Sequence, residues 1–136
     1  MLLPIHDNLL ISDLQERFSK CFPCLKLEFY KVAHHPGKAS EDAKLISPEK
    51  KIGAIRKKRK EGTFRILSSM TVREVEQQLE HYYGLHAQVF RNENGGWIQT
   101  TGTNSYTLQQ QVNMCAHARI SIDPKYSDQL EEYGEL

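Results

Sequence analysis

The positions of apolar and polar residues along the chain divide it into short elements. Leu10, Ile11, Leu14, Phe18, Cys21 and Phe22 recur at steps of three and four, predicting a helix over about 8–22 that Asp7 can cap and Pro23 ends. Leu25, Leu27 and Phe29 then alternate with Lys26, Glu28 and Tyr30, the period of two expected of a strand buried on one face. Residues 34–62 show neither period. Loops of that length are uncommon in compact domains, so a helical turn after Pro48 that buries Ile52 and Ile55 is expected within it. Thr63 to Leu67 predicts a second strand with Phe64 and Ile66 inward.

Thr71-Val-Arg-Glu74 is a capping box. It predicts a helix with Val72, Val75, Leu79 and Tyr82 on one stripe and Gly84 as its stop. His86–Arg91 and Trp97–Thr101 flank Asn94-Gly95-Gly96, the chemistry of a tight hairpin turn. A last helix follows from Ser105 to about 116, with Leu108, Val112 and Cys115 on its buried side. After it the chain turns acidic, and few apolar residues anchor 121–136, where fraying is expected.

These elements predict an α+β protein: one domain over 1–120, with a four-stranded sheet packed with about three helices, a partly irregular basic insertion at 34–62 and the acidic tail. The order strand, strand, helix, strand, strand over residues 25–102 resembles the β-grasp, or ubiquitin-like, arrangement. In wording, the stretch from Met70 through Leu108 (TVREVEQQLEHYYGLHAQVFR, then GGWIQTT and SYTLQQQ) resembles a family of small uncharacterised bacterial proteins with a similar helix, hairpin and Trp-containing strand. That resemblance implies element boundaries and a bacterial origin, and no catalytic residue.

A length of 136 residues accommodates one core and excludes two domains. The net charge of +1 gives no overall field toward nucleic acid or anionic lipid, so any such attraction must be local. The first fifteen residues lack the basic n-region and small-residue cleavage site of an export signal, and no apolar run is long enough to span a bilayer. Three cysteines, an odd number, suit a reducing compartment better than a disulfide scaffold, and the expected location is the cytoplasm.

Candidate chemistry is sparse. Cys21-Phe-Pro-Cys24 has the spacing of a redox or zinc half-site, but it falls at a helix C-terminus, where the dipole disfavours a thiolate, and no second clean pair of ligands accompanies it. Inert, buried cysteines are the simpler expectation. The six histidines stand beside no nucleophile motif, and Gly95-Gly96 lacks the Lys-Ser/Thr of a phosphate loop, so neither a catalytic set nor a cofactor is expected.

The most uneven feature is basic. Nine of the eighteen Lys and Arg residues fall between Lys44 and Arg65, against two acids, with the run Arg56, Lys57, Lys58, Arg59, Lys60 at its centre. A two-residue turn at 94–96 places Phe90 and Trp97 on one sheet face, to which Tyr30, Lys26 and Arg65 also belong if the four strands share a sheet. Left open, that face could stack unpaired bases while the 56–60 run holds phosphates. Covered by the first helix, it is ordinary core. The expected function is a non-enzymatic module that binds another protein through a sheet face or edge; the alternatives are a single-stranded nucleic-acid-binding domain and an enzyme of unrecognised type. No membrane partner is expected.

Overall fold

The computed structural model describes residues 1–32, 41, 44–56 and 60–115. The elements run β1 (Leu2–Ile5), α1 (Ile11–Cys21), β2 (Leu25–Tyr30), α2 (Ile52–Ile55), β3 (Gly62–Arg65), α3 (Val72–Tyr83), β4 (His86–Glu93), β5 (Gly96–Gln99), a 3-10 turn at Thr101–Thr103, and α4 (Leu108–Asn113). The protein is α+β, with four helices and two antiparallel sheets among the described residues. One sheet is β1–β3 and the other has the order β2–β4–β5. The strands expected to form a single β-grasp-like sheet are thus divided: β3 pairs with β1, which had no counterpart in the sequence reading, in the register Leu3 opposite Phe64. Pro4 and the short length of β1 hide it from periodicity, although Leu3 and Ile5 are fully buried.

Alternation along β2 holds through Phe29 and breaks at Tyr30, which is buried as well. Leu25, Leu27 and Phe29 are buried, together with Ala87 and Val89 of β4, and the stripes Ile11, Leu14 and Phe18 of α1 and Val72, Val75 and Leu79 of α3 join them in one core. Both helices pack on this sheet, α1 against β2 and α3 against β4. α2 forms where the turn after Pro48 was expected, with Ile52 buried and Ile55 partly so.

Helix starts depend more on partners than on local capping signals. Asp7 does not cap α1, because its carboxylate pairs with Arg56 at 2.8 Å. The first amides of α1 instead donate to Lys50 O and Pro48 O, each at 2.9 Å, and Asp13 reaches back to the Leu10 amide. Thr71 and Glu74 make the expected box on α3, while on α4 the cap is Thr107 with Gln110 rather than Ser105. These two starts also complete each other: Val72 and Arg73 N–H donate to Tyr106 O and Asn104 O, and Leu108 and Gln109 N–H donate to Met70 O and Ser68 O. Each segment supplies acceptors for the orphan donors of the other helix. α3 ends at Gly84 in the left-handed conformation (φ 66°), and the buried aromatic of its last turn is Tyr83, with Tyr82 turned outward.

Candidate functional site

The hairpin decides which side chains share a face. Asn94 (φ 53°) and Gly95 (φ 82°) supply the two positive φ angles of a two-residue turn, so Glu93 pairs with Gly96, Asn92 with Trp97 and Phe90 with Gln99. On the other side of β4, Lys26 stands opposite Phe90. Lys26, Phe90 and Trp97 therefore share one face, opposite the buried Leu27 and Val89. Lys26 Nζ lies 4.6 Å from the centre of the Trp97 ring and 5.3 Å from that of Phe90, within cation–π range of both.

The first helix does not cover this face fully. Trp97 is 44% exposed and Phe90 is half-buried. The Trp97 ring borders a shallow cleft of about 260 Å³ whose walls include Gln15, Glu16 and Ser19 of α1 with Lys26 and Glu28 of β2. Gln15 spans the junction, donating to Leu27 O at 2.8 Å and to Glu28 Oε2 at 3.3 Å. Glu28 Oε1 also lies 3.4 Å from Lys26 Nζ. The cleft thus holds one cation already facing aromatic rings and two carboxylates.

At β5 the chain forms a sheet edge. Residues 89, 91 and 93 of β4 face β5, since the intervening Asn92 N–H is directed to Cys24 O in the β2 direction. By the antiparallel alternation, Gly96 and Ile98 exchange bonds with β4 and the Trp97 peptide groups point away from it. Where β5 ends, Thr100 N and Oγ1 donate to Val89 O, and the Val89 N–H donates to Glu76 Oε2 at 2.8 Å. Burial raises the Glu76 carboxyl pKa to about 8, despite the opposing bond from Val89, so it is largely a neutral acid at pH 7. Glu76 sits four residues after Val72 and three before Leu79, on the buried stripe of α3. That spacing was the one sequence signal for a buried acid.

The other expected site residues scatter. Tyr30 is 3% exposed, its strand end bridged to Leu45, and it adds nothing to the aromatic face. Arg65 belongs to the β1–β3 sheet, opposite Leu2. Arg56 is buried: Nε and Nη2 donate to Asp7 Oδ1, and Nη1 donates to Tyr83 O and Lys60 O. Gly53 makes room for this corner, since a Cβ there would come within 2.6 Å of Asp7 Cβ. Lys60 is exposed, with Nζ 5.5 Å from the centre of the Tyr82 ring. Lys57, Lys58 and Arg59 lie outside the described residues, as do 34–40 of the basic insertion and the acidic tail.

Cys21 lies on the buried side of α1, whereas Cys24, beyond the helix end, is half-buried at φ 74° and meets Cys115. Among the described residues no three His, Cys, Asp or Glu side chains converge as a metal site, and no helix is long and apolar enough to cross a membrane. Compared with protein-family models, curated proteins and solved structures, the chain matches none.

Proposed function

We propose that this protein is a non-enzymatic binding module that takes an extended segment of a partner protein along the β5 edge, with Trp97 as the main contact. The observation that carries this reading is the edge itself. Gly96–Gln99 pairs with β4 on one side and with no further strand among the described residues, and it contains no charged residue or proline. Exposed strand edges are normally blunted by such residues, and they are the templates for strand addition. Trp97 and Ile98 are 44% and 39% exposed on opposite faces of the edge, so an added strand could use both.

The cleft beside Trp97 suits a peptide better than a phosphate backbone. Its lysine already faces the two rings, and Glu16 and Glu28 would repel phosphates. Arg56, the first residue of the basic run, is occupied by Asp7.

The test is a photoreactive amino acid at position 97 of the full chain, irradiated in the native cell. The expected result is a recurrent protein adduct that Ile98→Lys abolishes, because a lysine on an exposed edge strand opposes strand addition. Adducts with nucleic acid alone, or protein adducts indifferent to that lysine, would overturn the reading.

A further inference from the structure

Two thiols separated by 91 residues meet at one end of the β2–β4–β5 sheet. Cys24 closes the turn between α1 and β2, its carbonyl held by the Asn92 N–H at 2.8 Å. Cys115 follows α4 and is buried, with Sγ 3.9 Å from Cys24 O and in hydrogen-bond contact with the Cys24 thiol. Arg91 borders the same corner, donating to Gln111 Oε1 on α4 and to Glu93 Oε2. Both cysteines are reduced, and Cys24 is the more accessible.

The geometry points to a dithiol redox site in which Cys24 and Cys115 form an intramolecular disulfide, with a low-molecular-weight disulfide such as oxidised glutathione as the oxidant. The Cys21–Cys24 pairing suggested by the sequence is not the one this packing favours.

The steps balance. Cys24 Sγ loses its proton to solvent and attacks one sulfur of the small disulfide; that S–S bond breaks, and one small thiolate leaves and takes up a proton. Cys115 Sγ then attacks Cys24 Sγ in the mixed disulfide, loses its own proton, and expels the second small thiolate, which is protonated in turn. Two protein thiols are oxidised by two electrons, and the small disulfide is reduced to two thiols.

Order matters here. Burial pushes the Cys115 thiol up to about 12, the hydrogen bond and charge of Cys24 push the same way, Arg91 pulls it down, and Glu93 adds a smaller upward push. Cys115 is therefore a poor first nucleophile. Once Cys24 is capped, its charge is gone and the pull of Arg91 remains, so the second step is easier for Cys115 than the first would have been. The product ties the end of α4 to the start of β2 and closes a long loop, which stabilises the fold by restricting the unfolded chain.

The experiment exposes the reduced, folded full chain to oxidised glutathione, then counts thiols after denaturation and maps the linked peptides. The expected result is one remaining thiol where the reduced chain has three, a peptide pair joining Cys24 to Cys115, and a raised Tm that reductant reverses. Cys115→Ser should stop at a lasting glutathione adduct on Cys24, and Cys21→Ser should form the same bridge as the parent. A Cys21–Cys24 bridge, a persistent adduct in the parent chain, or three thiols remaining would each overturn the proposal. Peptide mapping of the parent decides the pairing even if a variant fails to fold.

Discussion

The corner around Arg56 and the face around Trp97 both present a cation beside aromatic residues, and they use it in opposite ways. At the corner, the guanidinium is withdrawn from water and aimed at a carboxylate and two backbone carbonyls, joining α2, the entry to β3 and the end of α3. At the face, Lys26 remains half-exposed over two rings on a surface that its neighbours leave open. Charge density along the chain made the basic run the anchor of the alternative, nucleic-acid reading. Its first residue, Arg56, is buried and paired with Asp7, whereas a lone lysine stands at the open sheet face. A planar fork of five donors suits a buried site with several acceptors, while an ammonium on a flexible stem suits a ring face.

Substitution at the corner should sharpen this contrast most. Arg56→Ala removes the buried guanidinium that donates to Asp7 and to two carbonyls, and it should cost about 3 kcal/mol in urea unfolding, set against less than about 0.5 kcal/mol for the exposed Lys60→Ala. Equal effects for the two variants would erase the distinction between structural and solvated cations.

A second test concerns the support beneath the face. The folded-state pKa of Glu76 is raised from its ordinary 4.5 to about 8. Below pH 4.5 both folded and unfolded chains carry the proton, so this contribution is fully present there. As pH rises, the unfolded chain releases the proton first, and stability declines until the folded pKa is passed. Between pH 5 and 7 the loss attributable to Glu76 should be about 2 kcal/mol, read as a fall in the urea midpoint that Glu76→Gln removes. A parent and variant with parallel pH profiles would refute a neutral buried acid at this position.

A smaller stability effect than at Arg56 or Glu76 is expected on the face itself. Trp97→Ala should change unfolding by no more than about 1 kcal/mol, the worth of an exposed cation–π contact, and leave the far-UV circular dichroism unchanged. A loss of several kcal/mol would make Trp97 a core residue and bring the two regions together.

Legibility varied with the range of the interaction. The Thr71–Glu74 box, the Gly84 stop, the Asn94-Gly95 turn and the buried side of β2 were all readable because each depends on residues within a few positions of one another. The shared face of Phe90 and Trp97 followed from the turn, since side chains alternate strictly once the register is set. Arg56 could not be read in this way. Its partner lies 49 residues away, and nothing in a run of basic residues marks the one that turns inward. Glu76 was readable in principle from its place on an apolar stripe, but the N–H it accepts from belongs to Val89 of β4, which no spacing along α3 records. β1 escaped because four residues containing a proline carry little periodicity, and its partner β3 lies more than fifty residues on.

The sequence by itself determined which segments form most of the helices and strands, which side of each is apolar, and how the hairpin turns, because these follow from backbone preferences and spacing along a single element. Only the tertiary structure decided which strands pair, which of many cations is buried, which cysteine meets Cys115 and which side of the sheet stays open. Those outcomes depend on elements far apart in the chain competing for the same buried surface and the same donors and acceptors, and one-dimensional spacing does not record that competition.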